Sequence, residues 1–311
     1  MTQKEMKEGL PGGWIELIAE NYCNKVADGT HDSPKKTEKG KLLITSKNIK
    51  NSKLDIGSAY TISLEDFEDV NRRSKVDKWD ILLGMIGTVG EVCLIDHKPD
   101  FSIKNVGLFK CGDEFKAKWL YYYFKSSTAK NYILSRLSGT TQKYITLGEL
   151  RKFPIKFPEN PNIQKSIVNI LSSIDDKIEL LREQNETLEK IGQEVFKKCF
   201  GKYKVGDELP ERWRVGRLGD IIENFDSKRK PISKGKRESG IFPYYGATGV
   251  NDYVKNYIFD GIYTLLGEDG SVIKENGKPF TQYVWGKIWV NNHAHVLQGR
   301  NGFSTEMIKI I

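Results

Sequence analysis

This chain repeats itself on either side of a long helical pattern, and that repetition limits its fold more than any other feature. Leu10-Pro11-Gly12-Gly13-Trp14 returns as Leu209-Pro210-Glu211-Arg212-Trp213. Each copy leads into a partly apolar stretch that closes near an Asn, at Asn24 and Asn224. A second echo aligns Asp80, Gly87, Gly90 and Val92 with Asp260, Gly267, Gly270 and Val272 without a gap, with Met85-Ile86 opposite Leu265-Leu266. It reads as a strand, a glycine turn and a second strand, and the four glycines read as turn formers. A third, looser echo sets Phe115–Tyr123 against Phe303–Ile311, with Trp119-Leu120 opposite Met307-Ile308; the first copy predicts an aromatic-rich helix over 116–125. Repetition of this kind predicts two related units built on one plan.

Between the copies lies one helix. Pro158 and Pro161 close the first unit, and Asn162 can cap the helix at its start. Ile163, Ile167, Ile170, Leu171, Ile174, Ile178, Leu181, Leu188, Ile191 and Val195 recur mostly at steps of three or four, which predicts one apolar stripe. Asn185 falls within the stripe, where a single polar residue fixes register at some cost in stability. At 1.5 Å per residue, a helix over 162–200 is roughly 58 Å long, too long for one small core. It predicts an exposed arm that needs a partner helix, loosened at Gly192 and ended at Gly201. The expected division is residues 1–161, a helical arm 162–200, and residues 201–311. The fold class is α+β: a mixed α/β unit, a long coiled-coil-type helix, and a second, partial unit.

Composition narrows the function. In 311 residues, 38% are hydrophobic and 29% charged. No run reaches the ~18 apolar residues of a membrane span, and residues 1–14 have no apolar signal core, so a cytoplasmic location is expected. Cys23, Cys93, Cys111 and Cys199 are far apart, which predicts buried reduced thiols and neither disulfides nor a zinc site. The net charge of +8 favours polyanions, and the densest basic stretch runs from Lys228-Arg229-Lys230 to Lys234, Lys236 and Arg237.

The motifs resemble the specificity subunit of Type I restriction-modification enzymes over nearly the whole chain. The resemblance rests on the paired Leu-Pro-x-x-Trp motifs and on the helix opening Gln164-x-x-Ile167-x-x-Ile170-Leu171-x-x-Ile174-Asp175-x-x-Ile178. It rests also on Gly139-Thr140-Thr141-Gln142-Lys143-Tyr144-Ile145, followed by Leu150 and Phe153-Pro154-Ile155. In the second half, Tyr244-Tyr245-Gly246-Ala247-Thr248-Gly249 and Asn291-Asn292-His293-Ala294-His295-Val296 are similar to this family too. The resemblance implies two DNA target-recognition domains, each followed by a long helix, the helices pairing as a spacer. It implies double-stranded DNA as ligand, with methyltransferase and restriction subunits as partners. S-adenosylmethionine, ATP and Mg²⁺ would belong to those subunits and no cofactor to this chain. Carried along the third echo, Ile311 matches Tyr123 and nothing matches 124–200, which predicts an incomplete second domain. An apolar seam left unpaired on the arm would favour a subunit interface or self-dimer through Ile167, Ile174, Ile178, Leu181, Asn185 and Leu188.

Catalytic patterns are sparse. Pro99-Asp100 with Glu114-Phe115-Lys116 matches a metal-dependent nuclease signature, but that Glu and Lys belong on a strand and here they open a predicted helix. The alternative reading, a nuclease or self-contained modification enzyme, predicts Mg²⁺-dependent cleavage lost in Asp100→Ala. A third reading is a structural helical arm with no DNA role. His293 and His295 share a strand face, with packing or base-edge roles expected before metal binding. There is no phosphate-binding Gly-x-x-x-x-Gly-Lys loop and no Asn-Pro-Pro-(Tyr/Phe) amino-methylation motif. For DNA reading, amides, hydroxyls and basic groups on loops are the useful chemistry. Thr140, Thr141, Gln142 and Lys143 come first, then Ser46, Lys47, Asn48, Thr30 and His31. In the second half the candidates are Lys228, Arg229, Tyr245, Thr248, Asn291, Asn292 and His293.

Overall fold

The computed structural model describes residues 11–204, 206–270, 272–274 and 277–310. Leu10 and Ile311, which open the first repeat and close the third, lie outside them. The first half runs β1 (Trp14–Ile18), α1 (Ala19–Tyr22), β2 (Lys25–Asp28), β3 (Lys41–Thr45), β4 (Ile49–Lys50), β5 (Lys53–Leu54), β6 (Tyr60–Ile62), α2 (Leu64–Ser74), β7 (Asp80–Gly84), β8 (Val92–Leu94), β9 (Phe101–Lys104), β10 (Val106–Lys110), α3 (Glu114–Lys125), α4 (Ser127–Ser135), α5 (Leu147–Arg151) and β11 (Pro154–Pro158). The helix α6 (Pro161–Phe200) is next. Then come α7 (Leu218–Ile221), β12 (Ile222–Asn224), β13 (Ser239–Tyr245), β14 (Val250–Val254), β15 (Phe259–Gly267), β16 (Thr281–Val290), β17 (Ala294–Gly299) and α8 (Thr305–Ile310). The chain divides into two compact units between Leu180 and Leu181, inside α6.

In the first unit β2-β10-β7-β8 form an antiparallel sheet, and β6-β3-β9 a smaller one in which β3 and β9 run parallel. β1 and β11 pair as a ribbon, Trp14 opposite Pro158. The run Ile81-Leu82-Leu83 in β7 is fully buried, and apolar side chains on both faces of a strand need a core on both sides. Ile81 and Leu83 share one core with Phe109, Phe124 and Phe153, while Leu82 shares the other with Ile44, Ile103 and Leu108. α3 forms where the aromatic-rich pattern predicts a helix. Asp113 caps it by accepting from the Lys116 amide, and it buries Trp119, Leu120 and Phe124. Glu114 and Lys116 are thus helical, Glu114 pairs with Lys118, and Asp100 pairs with Lys41. The strand that a nuclease reading requires there is a helix.

The structure corrects the alignment of the glycine repeat. Gly84 lies opposite Val106 of β10, and Gly267 opposite Ala294 of β17, each at the end of its own strand. Three residues later, Gly87 and Gly270 have matching left-handed backbones, φ 76° and 79°. Leu82-Leu83-Gly84-x-x-Gly87 therefore matches Leu265-Leu266-Gly267-x-x-Gly270, a shift of three residues from the alignment that pairs Gly87 with Gly267. The shared Asp that suggested the other alignment is a coincidence: Asp80 is buried against Lys110, whereas Asp260 is exposed.

α6 spans about 60 Å and ends where expected, the Gly201 amide donating to Lys197 O. Its predicted single stripe is two. Val168 is buried in the first unit's aromatic core, and Ile167 packs beside it. Ser172 and Asp175 continue this docked face, meeting Tyr122 and Lys125. Ile163, Ile170, Ile174 and Ile178 form a different, exposed line. On the second-unit part of the helix, Leu181, Leu188, Ile191 and Val195 are exposed as well, and so is Asn185. Ile167 is half-buried and packs partly against the chain's own core.

The second unit is one six-stranded sheet, β12-β17-β15-β16-β13-β14, antiparallel except where β13 meets β16. Phe259, Tyr263, Leu265, Ile288 and Val296 build its core on one face. The other face carries α8, which buries Ile308 and accepts a bond from Thr264 Oγ1 at Thr305 O. Beside it the cross-strand pair Ile262 and Trp285 is 44% and 71% exposed. The second Leu-Pro-x-x-Trp copy also departs from the first. Trp14 opens β1, whereas 213–217 form no strand, and Trp213 lies against Phe200 and Tyr203. A strand needs a ladder partner, and among the described residues of this unit none corresponds to β11.

Candidate nucleic-acid interface

In the first unit, five loops that are distant in sequence are tied into one surface. The turn after β7 is the hub. Gly87 N donates to Lys143 O, and Ile145 N to Met85 O, which holds the Gly139–Tyr144 loop against it. Ser138 and Tyr144 close that loop by exchanging backbone bonds. On the other side, Thr88 Oγ1 donates to Ser46 O at 2.7 Å, and Ser46 Oγ accepts from the Met85 amide and donates to Asn105 O. Asn105 bridges β9 and β10 with a left-handed backbone and carries the contact on to His31, its Oδ1 lying 2.8 Å from Nδ1.

The predicted residues separate by burial. Thr140, Thr141, Gln142 and Lys143 are exposed, and their side chains make no hydrogen bond or ion pair among the described residues. The same holds for Lys47. Ser46 and Asn48 are buried, 3% exposed each. Asn48 accepts from the Thr45 amide and donates to Asp55 O and Ser58 Oγ. These two side chains hold the loop together and cannot reach a base edge without breaking it. Thr30 is half-buried, its hydroxyl against Asp32, and His31 is exposed with its Nε2 2.9 Å from Asp28. Thr88 and Asn105, which sequence reasoning missed, are as central as the residues it named. The signal was an Asn between two apolar strands, a residue type that tolerates the left-handed region. Removing the Ser46 hydroxyl should leave the Met85 and Ile86 amides short of an acceptor. We expect Ser46→Ala to cost about 1–3 kcal/mol in urea unfolding of the first unit, whereas Lys47→Ala should change it little.

The second unit assembles its loops around the turn after β15. Gln282 Nε2 donates to Gly246 O and Ala247 O, fixing the Tyr245–Thr248 segment, and Asn291 N donates to Tyr245 O. Glu268 N donates to His293 O. Arg229 donates to Glu268, to Asn292 O and to Ala294 O, and its side chain is 14% exposed. Asn291 is buried, and its Oδ1 accepts from the His293 amide. Arg229 and Asn291 are thus internal ties, contrary to expectation. Lys228, Thr248 and Asn292 are exposed, Tyr245 is half-buried, and Lys228 lies over the Phe225 ring. His293 sits 2.7 Å from Asp269 and His295 2.5 Å from Asp226, so the two His point to separate carboxylates.

Burial works to raise the Asp226 carboxyl, but bonds from His295, the Val296 amide and Asn224, with Arg229 nearby, outweigh it and hold it below the usual range. A carboxyl lowered on folding contributes stability above its unfolded pKa of about 3.9, and that contribution fades as pH falls through the folded value. Urea midpoints of the second unit should therefore drop on acidification below about pH 5, with a shallower slope in Asp226→Asn. An equal slope in both would remove Asp226 as a source.

Residues 23–190 and 210–307 match the family model described as the Type I restriction modification DNA specificity domain. A putative type I restriction enzyme specificity subunit of Haemophilus influenzae is 37% identical over 91 residues, 29% of this chain and 23% of its own length. The MjaIX specificity subunit of Methanocaldococcus jannaschii is 31% identical over 144 residues, 42% of this chain and 33% of that one. The EcoprrI specificity subunit of Escherichia coli is 26% identical over 247 residues, covering 73% and 58%. Each match spans less than two thirds of the relative. A crystal structure of the type I system S subunit from M. genitalium superposes on 97% of this chain and 76% of its own, with 20% identity and a TM-score of 0.49.

Proposed function

The chain belongs to the Type I restriction modification DNA specificity family, and on that premise we propose that it reads DNA for a restriction-modification complex without chemistry of its own. Residues 1–161 and 201–311 are the two reading domains, each for one half of a split duplex target. Residues 162–200 are the arm that sets the gap between halves and docks the methyltransferase subunits, with a restriction subunit joining them. Adenine methylation, ATP use and cleavage belong to those partners, and so do S-adenosylmethionine, ATP and Mg²⁺. No described helix is long and apolar enough to cross a membrane, and a cytoplasmic partner of DNA suits the reading.

The observation that carries it is the Thr140–Lys143 loop. It exposes an amide, two hydroxyls and an ammonium, none engaged among the described residues, on a turn pinned at both ends. An amide of this kind can pair bidentately with adenine, and the ammonium with guanine or phosphate. The exposed line on α6, Ile170, Ile174, Ile178, Leu181 and Leu188 with Asn185 among them, supports docking or self-pairing through the arm. The test is co-expression with a methyltransferase subunit, followed by selection of bound duplexes from a randomised pool. A shared complex and a split consensus are expected. A chain that neither co-purifies with the subunit nor alters its target would end the proposal.

A further inference from the structure

The register that aligns the glycine turns also aligns two carboxylates. Val106 and Ala294 correspond through their partners Gly84 and Gly267. Asp28, the last residue of β2, lies opposite Gly107. In the second unit Glu223 and Asn224 face Gln298 and Leu297, and the Phe225 amide donates to Val296 O. One step further along that ladder sets Asp226 opposite His295. Gly107 thus corresponds to His295, and Asp28 to Asp226.

Both carboxylates hold one His and one Arg, recruited from different places. Asp28 is almost wholly buried, with His31 of its own loop at 2.9 Å and Arg73 of α2 at 2.7 Å. Asp226 has His295 of the neighbouring strand at 2.5 Å and Arg229 of its own loop at 3.4 Å. The swap has a steric reason. A Cβ at Gly107 would come within 2.6 Å of Leu150 Cδ1, so a His across the ladder would require the buried Leu150 to shift. Different partners meeting at one position mark the position, and not the pairing, as the requirement. From each carboxylate the bonds run on to the loops of its interface. His31 reaches Asn105 and Arg73 holds Gly29 O, while Arg229 reaches Glu268 and Asn292 O.

We propose that Asp28 and Asp226 are equivalent positioning residues, each fixing the reading loops of its own unit and so governing one half of the DNA target without touching DNA. The proposal rests on the DNA-reading function above. The experiment compares the full chain, in complex with its methyltransferase subunit, with its Asp28→Asn and Asp226→Asn variants, selecting duplexes from a randomised pool. Each variant should lose preference by about tenfold or more in one half-site, a different half for each. Binding to non-target DNA at low salt should stay within about twofold of wild type, because phosphate contacts carry that term. Amide hydrogen exchange supplies a readout free of DNA: Asp226→Asn should speed exchange at Val296, whose amide donates to Asp226 Oδ1, and at Glu268. If a variant does not fold, Asp226→Glu and His295→Gln are measured the same way. Unchanged selection, or equal blurring of both halves, overturns the proposal, and so does unchanged exchange. A wild-type chain that selects no sequence instead defeats the DNA-reading function, and exchange alone then decides whether the carboxylates fix the loops.

Discussion

Chains carrying both Ile174→Asp and Leu181→Asp should fold normally and fail to co-purify with a methyltransferase subunit. The two side chains are 51% and 44% exposed on the chain itself, so their loss leaves its cores intact. In a helix–helix seam the exposed half of each would be covered, a gain of roughly 1 kcal/mol apiece. Replacing both with carboxylates removes that gain and adds the cost of burying unpaired charge. At tenfold per 1.4 kcal/mol, association should weaken at least about a thousandfold. Pull-down and sedimentation measure it, with melting temperature as the control for folding. Val168→Asp is the contrasting variant: it sits in the first unit's core and should unfold that unit before any question of assembly arises. Undiminished co-purification of the double variant would show that the exposed line of α6 docks nothing.

Period and repetition were readable from sequence because they are properties of order along the chain. The helix ending at Gly201 and the aromatic helix α3 come from spacing, and so does a glycine turn in each half, though not its register. What spacing could not deliver was depth. Asp80 and Asp260 are the same residue type at a tempting interval, and only burial separates them. The α6 stripe read as one because Ile167 and Ile170 are equally apolar, although one packs inward and the other faces out. The candidate interface shows the same limit. Ser, Asn and Arg on loops serve equally well to contact a ligand or to satisfy the backbone, since both jobs use the same donors and acceptors. Ser46, Asn48, Arg229 and Asn291 do the second job, Thr140–Lys143 remain available for the first, and nothing in their order along the chain distinguishes them. Thr88 and Asn105 were overlooked for a related reason: their roles come from loops that meet only once the sheet is formed.

Replacing Thr140, Gln142 and Lys143 together with Ala should sharply weaken discrimination at the first unit's half of the target while leaving the protein stable. None of the three side chains is bonded among the described residues, and the loop is held by backbone contacts from Gly87, Ser138 and Ile145 that the substitutions spare. A bidentate amide–adenine contact contributes about 1–3 kcal/mol of discrimination. With the hydroxyl and the ammonium removed as well, preference for the selected target over a scrambled duplex should fall about 100-fold or more. The three losses should also separate by salt. Lys143→Ala alone should reduce the slope of log affinity against log salt by about 0.9, the signature of one phosphate contact. Gln142→Ala alone should leave that slope unchanged and relax the preference at one base pair. Competition binding across a salt series reads both quantities. A flat result for Gln142 and a uniform loss for Lys143 would mean that this loop grips the backbone and that bases are read elsewhere on the first unit, with Lys47 and His31 the exposed groups next to it. Wild-type discrimination in the triple variant would remove the loop from the interface altogether.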